Sequence, residues 1–220
     1  MPATFVGRPR AIIFDWDNTL VDTWGVIHES LNATLRAFGH QPWSLDEART
    51  RVRKSMRDSF PLLFGDRWED ASRVFYDAYK AIHLERLTPV PGAEEVLRAL
   101  TEDGLYLAVV SNKRGEHLRT EAAHLGWERY FGRMIGAADA ARDKPACEPI
   151  DLALAGSGID RNGGVWFAGD ADIDLECAFN ANLVPVLVRA QPPDPGEFAA
   201  HPPVHHLADL RALAALVKSL

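Results

Sequence analysis

The chain has 220 residues, of which 47% are hydrophobic and 25% are charged, and its formal net charge is −7; this composition is that of an ordinary globular protein with a sizeable core. The acidic balance argues against general nucleic-acid binding, and the sequence predicts neither a transmembrane helix nor a secretion signal. The two cysteines, Cys147 and Cys177, lack metal-ligand spacing, which predicts reduced thiols in a cytoplasmic protein.

The first predicted element is a short buried strand over residues 11–14, and two acidic residues, Asp15 and Asp17, follow it directly. Carboxylates this close raise each other's pKa unless a cation or a proton intervenes. The pair therefore indicates chemistry, in which one Asp is a nucleophile or a metal ligand and the other a general acid and base. The alternative is a turn in which Asp and Asn side chains bond the backbone after a strand.

Residues 21–88 carry no strand signal and as many basic as acidic side chains, and they predict an inserted helical domain. Thr23 is expected to cap the first helix, and a capping box from Ser44 to Glu47 opens the second. The predicted helices are 23–38, 44–56 and 68–87, the last with the apolar spacing of an amphipathic helix.

From Pro91 onward, helical segments alternate with short apolar strands. The predicted strands are 106–110, 134–136, 165–168 and 183–188, and the predicted helices are 91–103, 116–125, 149–155 and 207–219. Such alternation predicts an α/β fold with a doubly wound parallel sheet and helices on both faces. The domain bounds that follow are 1–20 with 89–220 for the α/β core and 21–88 for the insert.

Three chemically active residues fall at the ends of predicted strands. Asp15, Ser111 and Asp170 each follow or close an apolar run. Ligands of open α/β sheets bind at the carboxyl ends of the strands. The sequence therefore predicts a functional site at this edge of the sheet.

Four short motifs occur in a fixed order along the chain. They are Asp15-Trp16-Asp17-Asn18-Thr19-Leu20, Val109-Val110-Ser111-Asn112-Lys113, Lys144-Pro145 and Gly169-Asp170-Ala171-Asp172-Ile173-Asp174. Together they resemble the motifs of the haloacid dehalogenase-like phosphatase superfamily over residues 11 to about 190. Val90-Pro91-Gly92 and the segment after Lys144 are similar to its phosphoglycolate phosphatase-like branch. The resemblance implies a Rossmann-like core with an inserted α-helical cap.

The resemblance also implies a role for each motif residue. Asp15 would attack phosphorus to form an aspartyl-phosphate, and Asp17 would protonate the leaving alcohol and then take a proton from water. Ser111 and Asn112 would donate hydrogen bonds to phosphoryl oxygens, and Lys144 would supply a fixed positive charge.

A magnesium site is the remaining implication of the resemblance. Mg²⁺ would be bound by Asp15, Asp170 and the backbone carbonyl of Asp17, and Asp174 would hold the metal shell; such oxygen donors suit Mg²⁺. Asn18 stands where the family usually has Gly, and Asn tolerates the same left-handed backbone. Trp16 is bulkier than the usual spacer, which predicts a narrower site.

The densest basic run of the chain lies in the insert. On one continuous helix, Arg49, Arg53 and Arg57 would share a face, and Arg53 and Arg57 could then reach the distal carboxylate or phosphate of a substrate. The alternative is a solvated face paired with Asp46, Glu47 and Asp58.

The resulting hypothesis is a Mg²⁺-dependent phosphatase that hydrolyses a small, phosphoglycolate-like phosphomonoester. A sugar-phosphate mutase of the same superfamily and a non-catalytic phosphate-binding domain are the alternatives. The expected partner is a small-molecule phosphate ester, with no nucleic acid and no membrane, and the protein is expected to be a monomer or a homodimer.

Overall fold

The computed structural model describes residues 7–52, 54–161 and 164–220. The chain divides into two compact units. One comprises the chain up to Val21 together with Pro89–Leu220, and the other is Asp22–Thr88. The first division lies one residue after the bound expected from the sequence.

The elements alternate as follows along the described chain. The strands are β1 (Ala11–Phe14), β2 (Val21–Asp22), β3 (Thr88–Pro89), β4 (Tyr106–Arg114), β5 (Arg133–Ala137), β6 (Val165–Gly169), β7 (Val184–Val188) and β8 (His205–Leu207). The helices are α1 (Trp24–Ala37), α2 (Leu45–Arg51), α3 (Met56–Phe64), α4 (Trp68–Ile82), α5 (Ala93–Glu102), α6 (Gly115–Leu125), α7 (Glu148–Leu154), α8 (Asp172–Asn180) and α9 (Leu210–Ser219).

The larger unit is built on a six-stranded sheet in the order β5-β4-β1-β6-β7-β8. Neighbouring strands are parallel throughout, which confirms the predicted doubly wound α/β architecture. All four residues of β1 are buried, because this strand lies at the centre of the sheet between β4 and β6. Central strands of parallel sheets are covered on both faces and are apolar throughout.

Register brings the ends of three strands to one edge of this sheet. Phe14 of β1 lies opposite Val109 of β4 on one side and opposite Ala168 of β6 on the other. The residues that follow these positions therefore emerge together at the carboxyl edge. β8 and helix α8 were not predicted, and β4 runs four residues beyond its predicted end.

The smaller unit packs helices α1–α4 around an apolar core of its own. In α4, Ala71, Phe75 and Tyr79 are buried at a spacing of four residues, as the amphipathic pattern predicts. The capping box of α2 is confirmed: Ser44 Oγ accepts from the Glu47 amide at 3.2 Å, and Glu47 Oε2 accepts from the Ser44 amide at 2.8 Å. Thr23 precedes α1, but its side chain makes no capping hydrogen bond, so that part of the prediction is wrong.

The prediction of one continuous basic helix is also wrong. Helix α2 ends at Arg51, and the extended backbone of Val52 interrupts it before α3 begins at Met56. Arg49 and Arg57 therefore belong to separate helices, and they do not form one face. Arg53 lies outside the described residues.

Within the part of the chain that the structure describes, no helix has both the length and the apolar character that crossing a membrane requires.

Candidate active site

The predicted site residues of the core emerge from neighbouring strands. Asp15 follows β1, Ser111 lies in the last half of β4, and Asp170 follows β6. Because Phe14 is in register with Val109 and Ala168, the three polar residues occupy the same edge of the sheet. This is the edge at which α/β sheets bind ligands.

Three carboxylates converge at this edge. Asp15, Asp170 and Asp174 each offer an oxygen, and these oxygens lie within 4.8 Å of one another. Asp174 comes from the first turn of α8, where its Oδ2 accepts from the Ala171 amide at 3.1 Å. Thr19 Oγ1 donates to Oδ1 of Asp170 at 3.2 Å, which ties the loop after β1 to the end of β6.

A buried lysine links two of these carboxylates. Nζ of Lys144 lies 2.6 Å from Oδ1 of Asp15 and 2.7 Å from Oδ1 of Asp174, and the lysine side chain is 2% exposed. Its loop is fixed from both sides. Oδ1 of Asp143 accepts from the Ala138 amide at 2.9 Å, and Nδ2 of Asn112 donates to the Lys144 carbonyl at 3.2 Å.

The charges of the cluster do not balance. Burial raises the pKa of Asp15 to about 7, against the lowering effect of Lys144, and the Asp174 and Asp17 carboxylates raise it further. Burial also raises the pKa of Asp170 well above its usual range. Burial alone would lower the pKa of Lys144, but the carboxylates of Asp15 and Asp174 raise it, so this residue stays a cation. With all three carboxyl groups ionised, one ammonium leaves an excess of negative charge, which protons or a bound cation must offset.

The cluster has the chemistry of a divalent-cation site. Hard cations such as Mg²⁺ prefer carboxylate oxygens, and a bound cation favours the ionised form of each carboxyl group. The donors, their spacing and the excess negative charge therefore fit a divalent metal ion. The residues that could hold it are Asp15, Asp170 and Asp174.

Gly169 is required where β6 meets this cluster. A Cβ atom at position 169 would lie 2.3 Å from Oδ2 of Asp174, far inside van der Waals contact. The absence of a side chain at the end of β6 therefore lets α8 bring Asp174 next to the strand.

Asp17 makes a separate ion pair. Its Oδ1 lies 2.6 Å from Nζ of Lys113, and the aspartate side chain is 19% exposed. Trp16, between the two motif aspartates, is fully buried and packs edge-on against Trp127. The expectation that Trp16 narrows the site stays a prediction. Asn18 has a φ of 64°, which confirms that it adopts the left-handed backbone expected of the family's Gly.

The predicted phosphate- and substrate-binding residues make contacts within the protein. Ser111 is 4% exposed, and its Oγ accepts from the Lys113 amide at 3.2 Å. The Asn112 side chain fixes the loop of Lys144, as described above. Arg57 lies in the first turn of α3, half-buried in the helical unit. Arg49 pairs with Asp46 at 3.7 Å, which agrees with a solvated face at that residue.

Two residues that contact the motif side chains, Glu121 and Thr19, were not singled out from the sequence. Glu121 of α6 is fully buried and binds Nζ of Lys113, although an isolated Glu on a helix is usually solvated. The signal was available in the helix phase, because Glu121 follows the buried residues His117 and Leu118 at spacings of four and three. Thr19 belongs to the first motif, but its bond to Asp170 depends on the fold.

Comparison with known proteins gives a consistent result. The family model of haloacid dehalogenase-like hydrolases matches residues 12–188. A phosphoglycolate phosphatase of Rhodobacter capsulatus is 32% identical over 180 residues, which are 79% of this chain and 81% of that protein. The pyrophosphatase PpaX of Listeria innocua is 26% identical over 96% of this chain and 98% of its own length.

Solved structures show the same architecture. The chain is similar to a haloacid dehalogenase-like family hydrolase of Streptococcus pneumoniae with a TM-score of 0.82 and 19% identity, over 95% of this chain and 98% of the other. At this identity the likeness concerns the fold alone.

Proposed function

This chain belongs to the haloacid dehalogenase-like hydrolases, and on that premise we propose that it is a Mg²⁺-dependent phosphatase. It hydrolyses a small phosphomonoester through an aspartyl-phosphate on Asp15. A relative that covers four fifths of the chain is a phosphoglycolate phosphatase, and phosphoglycolate is therefore the proposed substrate.

One observation carries the proposal. Lys144 bridges Asp15 and Asp174 in a buried position beside Asp170. A carboxylate can attack a phosphate dianion only where positive charge reduces their repulsion. The buried ammonium of Lys144 supplies part of that positive charge. A metal ion bound by the acidic cluster would supply the remainder.

In the first step Asp15 attacks phosphorus, and the bond from phosphorus to the ester oxygen breaks. Asp17 gives a proton to that oxygen, which leaves as the alcohol. Lys144, and the hydroxyl of Ser111 with the adjacent backbone amide, stabilise the charge on the transferring phosphoryl oxygens. A Mg²⁺ ion held by Asp15, Asp170 and Asp174 would supply further positive charge to the site.

In the second step water attacks the phosphorus of the aspartyl-phosphate. Asp17, now a carboxylate, takes a proton from that water. The bond between phosphorus and Asp15 breaks, inorganic phosphate leaves, and Asp15 returns as a carboxylate. The sum is one ester and one water converted to one alcohol and one phosphate.

A panel of phosphate compounds tests the function. It contains phosphoglycolate, pyrophosphate, two hexose phosphates and nitrophenyl phosphate, each with Mg²⁺ and with a chelator. We expect phosphoglycolate to give the highest kcat/KM and the chelator to abolish turnover. Rapid hydrolysis of another compound would change the assigned substrate, but the protein would still be a phosphatase. Isomerisation of a hexose phosphate without phosphate release would indicate a mutase. Binding without turnover would indicate a phosphate-binding domain.

Mg²⁺ binding should be visible in stability as well as in activity. A ligand present at one hundred times its Kd raises the free energy of unfolding by about 2.7 kcal/mol. Because the pKa of Asp15 is raised to about 7 in the metal-free protein, Mg²⁺ must displace a proton at lower pH. The rise in Tm on adding a fixed Mg²⁺ concentration should therefore be larger at pH 8 than at pH 6.

Asp170→Asn provides the control for this experiment. It removes one carboxylate of the cluster without changing the size of the side chain, and it should greatly reduce the Mg²⁺-dependent rise in Tm. An equal rise in wild type and in Asp170→Asn would contradict the proposed metal site.

A further inference from the structure

A buried chain of polar side chains lies behind Asp17. Nζ of Lys113, in β4, is 2.6 Å from Oδ1 of Asp17 and 2.6 Å from Oε2 of Glu121, in α6. The side chains of Lys113 and Glu121 are 5% and 0% exposed, whereas that of Asp17 is 19% exposed. Lys113 therefore links the fully buried carboxylate of Glu121 to the partly exposed carboxylate of Asp17.

Glu121 also binds the loop that carries the two motif aspartates. Nε1 of Trp16 donates to Oε2 of Glu121 at 2.7 Å. The Trp16 ring is fully buried, and its centroid lies 5.9 Å from that of Trp127. One oxygen of Glu121 thus accepts from residue 16 and from the lysine that binds residue 17.

Stability alone is a weak reason for this arrangement. Moving a carboxylate and an ammonium out of water is unfavourable, and well-packed apolar residues of similar size often give equal or greater stability. Apolar side chains at positions 113 and 121 together would avoid that penalty. What they would lose is the connection to Asp17.

We propose that Glu121 is a positioning residue that acts through Lys113 to hold Asp17 in place for proton transfer, an inference that rests on the proposed phosphatase function. A general acid must lie about 2.6–3.2 Å from the atom that it protonates. The Lys113 ammonium sits at the end of a flexible four-carbon chain. Glu121 removes that freedom by binding the same ammonium.

This role predicts a dependence on the leaving group. An alkyl phosphate needs a proton on the departing oxygen because an alkoxide is a strong base, whereas nitrophenolate leaves without one. The ratio kcat/KM reports the steps up to the aspartyl-phosphate, in which Asp17 is the acid. Displacing Asp17 therefore lowers kcat/KM more for alkyl esters than for nitrophenyl phosphate.

The test measures kcat/KM for phosphoglycolate, as the alkyl ester, and for nitrophenyl phosphate in wild type, Glu121→Gln and Glu116→Gln, all with Mg²⁺. For Glu121→Gln we expect a loss of about 10- to 100-fold with phosphoglycolate and less than about threefold with nitrophenyl phosphate, since general acid catalysis contributes about 10²- to 10⁴-fold. Glu116 lies on the same helix and is 61% exposed. Its amide variant is the matched control and should equal wild type with both esters.

A second comparison separates positioning from a structural role. In an Asp17→Asn background, Glu121→Gln should change kcat/KM for the alkyl ester by less than about twofold, because residues that act as one unit are not additive. Lys113→Met should reproduce the selective loss, and it carries the test if Glu121→Gln does not fold. An equal loss with both esters, or an undiminished loss in the Asp17→Asn background, overturns the proposal. If folded wild-type protein hydrolyses no phosphate ester of the panel, the proposed function fails first and this inference fails with it.

Discussion

Asp15→Asn is expected to abolish hydrolysis of phosphomonoesters while the protein remains folded. Loss of a catalytic nucleophile lowers kcat by about 10⁴-fold or more. The Asn side chain keeps the shape of Asp but cannot form the acyl phosphate. Steady-state assays over the substrate panel measure the loss, and mass spectrometry of the variant verifies that the amide has not hydrolysed back to Asp.

The same variant should be more stable than wild type when no metal is present. Burial raises the pKa of Asp15 from 3.8 to about 7, so the ionised carboxylate destabilises the folded state. This destabilisation is complete above about pH 7 and is lost as the pH falls toward the unfolded-state pKa. Urea unfolding should therefore show a gain in the free energy of unfolding for Asp15→Asn near pH 8 and a smaller gain near pH 5.

A matched change on the surface of the same unit is the control for Asp15→Asn. Asp151, in α7, is exposed and pairs with Arg161 at 3.1 Å. Asp151→Asn should keep turnover within about twofold and stability within about 1 kcal/mol, as exposed ion pairs contribute little. Substantial turnover by folded Asp15→Asn would show that the nucleophile is another residue.

Lys144→Met is expected to damage both stability and activity. The change leaves the buried carboxylates of Asp15 and Asp174 without their shared ammonium. Removing one partner of a buried ion pair costs about 3–5 kcal/mol, and removing a preorganised positive charge lowers kcat by about 10²- to 10³-fold. Urea unfolding without metal and assays with Mg²⁺ measure the two effects.

Added Mg²⁺ should recover part of the lost stability of Lys144→Met, because a divalent cation meets the same carboxylates. Lys218, exposed in the last turn of α9, provides the control, and Lys218→Met should differ from wild type by less than about 1 kcal/mol. A loss as small in Lys144→Met as in the control would mean that Lys144 does not balance the acidic cluster.

The sequence predicted the central architecture because the strands of the sheet carry strong signals. β1, β6 and β7 are apolar runs that are buried on both faces, and each was identified to within about one residue. β8 was missed because His205 and His206 do not form an apolar run. Its place at the sheet edge depends on pairing with β7, which no local pattern encodes.

The break between α2 and α3 shows a signal that was present but overlooked. The basic run over residues 49–57 contains no Gly or Pro, which suggested one helix. Ser55 precedes α3, and its Oγ donates to Oδ2 of Asp58 at 3.0 Å. A Ser followed by Asp three residues later, before an apolar run, is a helix-start pattern. It indicates a new helix at Met56 in place of a continuation of α2.

At the candidate site, the motif residues could be predicted from the sequence, but the contacts between their side chains could not. The bridge from Asp15 through Lys144 to Asp174 joins three distant parts of the chain. Its formation depends on sheet register and on the absence of a side chain at Gly169. The buried Glu121 network likewise follows from how α6 packs behind the loop after β1.

The order of the strands has a consequence for biosynthesis. β1 precedes the other described strands along the chain, yet its neighbours in the sheet, β4 and β6, begin at Tyr106 and Val165. The helical unit is contiguous in the chain, so it can bury its own core while the ribosome is still translating the other unit. β1 has no neighbouring strand in its sheet until β4 has been translated. Asp15 gains its lysine and its fellow carboxylates only after residue 174 has been translated, and nascent chains are therefore inactive until late in synthesis.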